Sequence, residues 1–311
     1  MAFHIIVNPA GASGRAWELW KKLERVFREN DSDYIVHRST LDDSIGDICK
    51  RLTSRGEHTD IVVIGGDGSL NDAVNGIVDF ENTYFGFVPC GTGNDMERDM
   101  GLPDDKAEII RRLLDGEVKR EADIGELTVH DIYEEGKPTK RRFNISSDVG
   151  FGAATCAYAD RSRLKPFLNK IGLGRLVYLI KALNVCFTSK PAMVKVKCNG
   201  TVKFYKRCLS AIVMNHCHEG GGFKFCPDAD FTDGKLDICI GNGISKLAFL
   251  KVLPNAYKGS HVGMRGIYQD RAEKIEMSSD IPLWVHTDGE VLGMTRKVSM
   301  RILPQKLKLL V

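Results

Sequence analysis

Ile61–Ile64 is a run of four apolar β-formers that ends in a glycine cluster, in the stretch "IVVIGGDGSLNDAVNG". An unbroken apolar run of this length suits a strand buried on both faces, which parallel sheets require and antiparallel ones seldom do. Leu70, Val74, Ile77 and Val78 then recur at helical spacing, so strand, glycine loop and helix follow directly. The same unit recurs through the first 116 residues. "FHIIV" precedes a helix with Trp17, Trp20, Leu23 and Phe27 near one face. "DYIVHRST" precedes one with Ile45, Ile48 and Leu52 on a stripe. "YFGFVPCG" precedes "DKAEIIRRLLDG", closing at Gly116. Strands alternating with short helices predict an open, mostly parallel α/β sheet.

Ligands bind such sheets beyond the C-terminal strand ends. Three loops fall there: "NPAGASG", "GGDGS" and "PCGTGND". Glycine permits positive φ and lets backbone N–H groups approach an anion. A helix starting at Ser69 adds a partial positive charge, although Ser69 serves equally well as that helix's cap. One such loop alone reads more readily as a turn; three on one sheet edge point to phosphate. There is no G-x-x-x-x-G-K-[ST] and no G-x-G-x-x-G after the first strand. An aspartate at the loop apex, Asp67, would repel a bare phosphate. It fits if a cation or a polarised hydroxyl lies between, which points to phosphoryl transfer with magnesium.

Beyond Gly116 the rhythm changes. "MVKVKC" and "TVKFYK" flank Asn199-Gly200, a hairpin signal. "CLSAIVMN", "KLDICIG", "KIEMSS", "PLWVHTDGE" and "VSMRIL" add strands, with helical patterns near 154–187 and 245–258. The expected organisation is an α/β domain over 1–120 and a β-rich domain over 121–311, the last residues free to return to the first. A net charge of +3, from 44 basic and 41 acidic residues, gives no call for nucleic acid. Nine cysteines, odd in number and without a C-x-x-C pair, read as thiols in a reducing cytosol. His216, Cys217, His218 and Cys226 cluster in sequence, at a spacing that matches no zinc template. The start lacks signal-peptide character and no run reaches a membrane-spanning length, so a cytoplasmic location is expected.

"GGDGSLNDAVNG" with "PCGTGNDMERDMGLP" resembles the paired signatures of the diacylglycerol kinase catalytic-domain family, which includes soluble bacterial lipid kinases and sphingosine and ceramide kinases. The resemblance continues through "EADIG", "FNISSDVGFGA", "GGGFKFCPDADFTDGKLDI" and "HTDGE", nearly the whole chain. It implies a diacylglycerol-kinase- and NAD-kinase-like first domain and a β-sandwich-like second one. It implies ATP at Asn8, Pro9, Ala10, Gly11 and Ala12, at Thr40 (or Ser39), at Gly65, Gly66, Asp67, Gly68, Ser69, Leu70 and Asn71, and at Thr92. Asp72 stands where the family usually has glutamate. Asp230, Asp233 and Lys235 match a structural Mg2+ site, whereas "TDGK" by itself is an ordinary turn. Glu290 matches the general base, with Asp67 and Asp288 holding magnesium and triphosphate in line; by itself "DGE" is a hairpin turn.

The implied reaction is ATP- and Mg2+-dependent phosphorylation of a lipid alcohol, diacylglycerol first. Phosphatidylglycerol, a sphingoid base and NAD are the alternative acceptors. Residues 161–187 mix Arg161, Arg163, Lys165, Lys170, Arg175 and Lys181 with apolar side chains. Such a segment suits either peripheral contact with an anionic membrane or a helical hairpin with a solvated basic rim. A homodimer is compatible with everything above.

Overall fold

The computed structural model of the protein describes residues 2–91, 93–116, 118, 120–131, 139–162 and 174–310. The first part runs β1 (Phe3–Val7), α1 (Arg15–Glu29), β2 (Tyr34–Arg38), α2 (Ile45–Thr53), β3 (Thr59–Gly65), α3 (Asp67–Gly76), β4 (Thr83–Pro89), α4 (Asp95–Met100) and α5 (Lys106–Leu114). Its strands are parallel in the order β4-β3-β1-β2. The apolar run in β3 is continuous because helices cover both sides. Ile61 and Val63 pack among Ile45, Ile48 and Leu70, while Val62 and Ile64 pack among Trp20, Leu23 and Ile110. Alternate residues of a strand face opposite ways, so both sets must be apolar.

The second part runs β5 (Arg120–Val129), β6 (Thr139–Phe143), β7 (Ser146–Gly150), α6 (Phe151–Asp160), a helix over Gly174–Thr188, β8 (Ala192–Cys198), β9 (Thr201–Met214), β10 (Leu236–Asn242), a helix over Lys246–Lys258, β11 (Ile267–Ala272), β12 (Lys274–Thr287) and β13 (Glu290–Leu309). Asn199-Gly200 joins β8 to β9 and Asp288-Gly289 joins β12 to β13. All four turn residues have positive φ, between 47° and 85°. Two-residue turns with both φ positive match the twist of the strands they connect.

All the described strands belong to one sheet. The connection is β13: its start pairs with β12, while Lys308 and Leu309 pair in parallel with Tyr84 and Phe85 of β4. Pro304 lies where the register between β13 and β5 shifts, a place that spares the missing N–H. Leu303, Leu307 and Leu309 share a core with Ile61, Leu70, Phe85, Ile145 and Phe231, so both parts of the chain contribute to one buried cluster.

Three local expectations are corrected. Helix α3 begins at Asp67 with Gly66 as its N-cap, so Ser69 lies inside the first turn and caps nothing. The helix ends at Gly76, and Val78 is 51% exposed instead of continuing the apolar stripe. "KIEMSS" and "PLWVHT" form one strand, β12, with an irregularity between Ser278 and Leu283.

The α2–α3 crossing explains why α3 ends in glycine. A Cβ on Gly76 would lie 2.1 Å from the Gly46 carbonyl oxygen and 2.6 Å from the Gly46 Cα. Asp72 supports the same contact by accepting the Gly46 N–H at 3.0 Å. Gly76→Ala is therefore expected to destabilise by about 1–3 kcal/mol through overpacking, despite alanine's better helix propensity. Urea unfolding checks this; an unchanged or higher midpoint would contradict the close crossing.

Candidate active site

The three loops converge where β1, β3 and β4 end. Asn8 folds the first loop back on itself, its Oδ1 accepting the Ala10 N–H at 3.0 Å and its carbonyl the Gly11 N–H at 2.9 Å. The second and third loops lie almost in contact. A Cβ on Gly91 would lie 2.7 Å from the Gly66 Cα, and one on Gly65 would lie 2.4 Å from the Ser69 Oγ. Backbone approach thus requires glycine at position 91, and the Ser69 side chain requires it at position 65. The Asp67 carboxylate completes the junction by accepting the N–H groups of Asn94 at 2.9 Å and Asp95 at 3.2 Å. Asn94 adopts φ 51°, which turns those amides toward Asp67.

Beside this junction lies an open cavity of about 500 Å³, walled by Asn8, Ser39, Thr40, Ser44, Ile45, Gly66, Gly68, Ser69, Asp72, Arg141 and Glu290. Six of the sequence-predicted residues thus meet in one place: Asn8, Thr40, Gly66, Gly68, Ser69 and Glu290. Glu290 comes from the far end of the chain; its Oε1 lies 3.9 Å from where a Gly68 Cβ would be. Pro9, Ala10, Gly11, Ala12, Gly65 and Asp67 stand beside the wall, in the loops that shape it. Leu70 is wholly buried in the core. Asn71 is also buried and holds β6 and the β12–β13 turn through Arg142 O and Asp288. Thr92 lies outside the described residues.

Asp230, Asp233 and Lys235 form a separate turn. Asp230 accepts from Thr232, and Asp233 accepts the Lys235 N–H at 2.9 Å and pairs with Arg271 at 3.3 Å. The turn is joined to β5 through the Gly234 N–H and Asp123, 2.7 Å apart.

Asp288 departs from its expected role. Its Oδ1 accepts the N–H groups of Ile145 and Ser146, both at 2.9 Å. Its Oδ2 accepts the Asn144 N–H at 2.8 Å and Asn71 Nδ2 at 2.7 Å. A carboxylate has about four lone-pair sites, so none is left for a cation. Asp288 clamps the β12–β13 turn onto the start of β7 and thereby holds Glu290 at the cavity.

Sequence reasoning missed two features. Arg141, on β6, reaches the cavity and donates to Asn71 Oδ1 at 2.8 Å, while its Nε has no partner among the described residues. Only the pairing of β6 with β5 places it there, and nothing in "KRRF" announces that. The second feature is a group of acids behind the loops. Glu219 accepts from Ser146 Oγ at 2.6 Å and lies 3.6 Å from His286 Nε2. Burial first, then the nearby Asp148, pushes its carboxyl up to about 8. Burial and then Asp95 push Asp67 up to about 6. Burial holds His286 down at about 4, and its Nδ1 accepts the Gly289 N–H, so Nε2 carries the proton toward Glu219. Carboxyls whose charge burial disfavours thus collect behind the glycine loops, where a divalent cation carried by a polyphosphate would favour their charged forms.

Both parts of the chain match known proteins. Residues 2–127 match the diacylglycerol kinase catalytic domain, and residues 146–311 match the YegS C-terminal NAD kinase beta sandwich-like domain. A diacylglycerol kinase of Bacillus subtilis (strain 168) is 27% identical over 297 residues, covering 93% of this chain and 90% of that one. The crystal structure of a diacylglycerol kinase from Bacillus anthracis str. Sterne superposes with a TM-score of 0.68 at 20% identity, covering 99% of this chain and 96% of that one. Yeast NADH kinase complexed with NADH gives a TM-score of 0.52 at 8% identity, covering 99% of this chain and 82% of that one. The two structural likenesses carry the fold: an α/β first part with a mostly parallel sheet, and a β-rich, sandwich-like second part. With both matches in order along one chain, the protein belongs to the diacylglycerol kinase catalytic-domain family and is a lipid kinase.

Proposed function

We propose that the protein transfers the γ-phosphoryl group of ATP, with Mg2+, to the hydroxyl of a lipid alcohol, diacylglycerol first, giving phosphatidic acid. The observation that carries this is the exposed carboxylate of Glu290 on the wall of the cavity formed by the glycine loops. In this reading residues 1–120 hold the nucleotide and residues 121–311 the lipid. The amides around Gly66 and Gly68, the N-terminus of α3, Ser69, Thr40 and Thr92 receive the nucleotide, and Arg141 receives its phosphate oxygens. Magnesium, when bound, neutralises charge on the triphosphate. The chain fits that ion: burial raises the carboxyls of Asp67, Asp95 and Glu219, Asp95 adds to the rise at Asp67 and Glu219, and each Asp67 oxygen accepts a single N–H. Glu290 takes the proton from the lipid hydroxyl as the new O–P bond forms and the bond to the departing ADP breaks. At Asp230, Asp233 and Lys235 a structural Mg2+ would share Asp233 with Arg271.

The lipid side rests on the helix Gly174–Thr188, which exposes Leu176, Leu179, Ile180, Leu183 and Phe187 around Lys181. Such a helix suits shallow insertion at a headgroup layer from the cytoplasmic side. Arg163, Lys165 and Lys170 lie outside the described residues. No helix among the described residues is long and apolar enough to cross a membrane.

The test is transfer of label from radiolabelled ATP, with Mg2+, to vesicles carrying diacylglycerol, phosphatidylglycerol or a sphingoid base, and to NAD in a parallel tube. Label in phosphatidic acid is expected. Label in another lipid would move the substrate, and label in NAD alone would overturn the proposal. The loop contact gives a second prediction. Gly91→Ala would push the third loop off Gly66, and a displacement near 1 Å at a positioning element costs about 10²-fold in kcat/KM. Steady-state kinetics measures this; a loss under about threefold would mean the loops need no such contact.

A further inference from the structure

His216, Cys217 and His218 follow β9, and their spacing matches no metal template because another donor comes from α4. The Cys217 Sγ lies 2.9 Å from Asp99 Oδ1 and 3.1 Å from His218 Nδ1, and His218 Nδ1 also contacts Asp99 Oδ1. The three donor atoms lie within 4.8 Å of one another. We propose that Asp99, Cys217 and His218 bind a borderline-soft divalent transition metal, zinc first, with water as the remaining ligand.

The donor set is mixed O, S and N, which suits zinc far better than magnesium. Around zinc, with about 2.3 Å to sulfur and about 2.0–2.1 Å to nitrogen, tetrahedral donors stand about 3.6 Å apart. The trio therefore needs to open by about 0.5–1 Å, most of it between His218 Nδ1 and Asp99 Oδ1. The groups that orient these ligands are already in place. His216, 1% exposed, meets Asp99 Oδ2 through Nδ1 at 3.1 Å and stacks on Phe231 with ring centres 4.3 Å apart. The His218 N–H also donates to Asp99 Oδ2, at 3.2 Å. These contacts orient the carboxylate so that Oδ1 faces Cys217 and His218. Without metal, burial and then the bond to Asp99 push the Cys217 thiol up to about 12. Metal binding replaces the thiol proton, which leaves to solvent.

The site would staple two parts of the active centre. Helix α4 starts at Asp95, whose N–H is held by Asp67 and whose carboxylate accepts the Gly221 N–H at 2.9 Å. Glu219 lies between Gly221 and the metal ligands in the same loop. An ion shared by Asp99 and Cys217–His218 would fix this loop to α4 independently of nucleotide.

The test uses the full chain, stripped with a chelator and titrated with Co2+, then Zn2+. One equivalent of Co2+ is expected to give thiolate-to-cobalt charge-transfer absorption, which Zn2+ abolishes and Mg2+ leaves intact. Cys217→Ser should lose the band. His218→Gln, a partly exposed position and a second variant should Cys217→Ser fold poorly, should weaken binding and alter the band. His216→Gln should lower zinc affinity about 10–100-fold, as loss of an orienting partner does. Zinc should raise the thermal midpoint of the wild type and leave that of Cys217→Ser unchanged. Absence of the band in the wild type, or an equal band in Cys217→Ser, would overturn the proposal.

Discussion

Glu290→Gln is expected to abolish lipid phosphorylation while ATP still binds with near wild-type affinity. The substitution keeps size and shape and removes only the ability to accept a proton. General-base catalysis is worth about 10²–10⁴-fold, and kcat should fall by that factor. Glu290 is exposed and its side chain packs into no core cluster, so stability should change by under about 0.5 kcal/mol. Nucleotide affinity should hold, because the loops that shape the cavity do not lean on this side chain. Calorimetric titration with ATP and a single-turnover assay separate the two effects. Turnover within about tenfold of wild type would remove Glu290 from the base role. Lost turnover with equally lost ATP affinity would make it a nucleotide-binding residue instead.

Much of this site was legible in the sequence because its nucleotide side is local. Each glycine loop follows its strand directly, so β-propensity and glycine clusters placed three loops on one edge. The close approach of Gly66 and Gly91 was not legible, since it depends on β3 and β4 being neighbours. The sequence reads Asp67 as an acid that faces magnesium and the triphosphate. Its carboxylate in fact crosses to the Asn94 and Asp95 amides, which explains an acid at the loop apex before any cation is considered. Arg141, Glu219 and Asp99 were missed for one shared reason. Each meets its partners across 70 or more positions of chain, and no short pattern encodes such a meeting. The turn "TDGE" carries two readings, hairpin and catalytic: Asp288-Gly289 makes the hairpin turn, and Glu290 leaves it at the cavity wall, where the proposed base role is open to it.

That division of labour predicts two inactive variants, two residues apart, that differ in stability. Asp288→Asn keeps the turn, because asparagine tolerates the φ of 47° found here. It replaces one acceptor oxygen with an NH2 group that faces donors. The N–H groups of Asn144, Ile145 and Ser146 and the amide of Asn71 then compete for a single carbonyl oxygen. Each buried donor left unpaired costs about 1–3 kcal/mol, so two such groups cost about 2–6 kcal/mol. Burial raises the Asp288 carboxyl above its ordinary range against the pull of these hydrogen bonds, and removing the charge relieves part of that penalty, so a net loss of about 2–4 kcal/mol is expected. Activity should fall as well, because Glu290 loses its mooring. In urea, Asp288→Asn should unfold at a clearly lower midpoint, and Glu290→Gln should unfold with the wild type. An inactive Asp288→Asn that is as stable as wild type would return Asp288 to the cation. The carboxylate would then have to exchange its backbone partners for the ion when substrate binds.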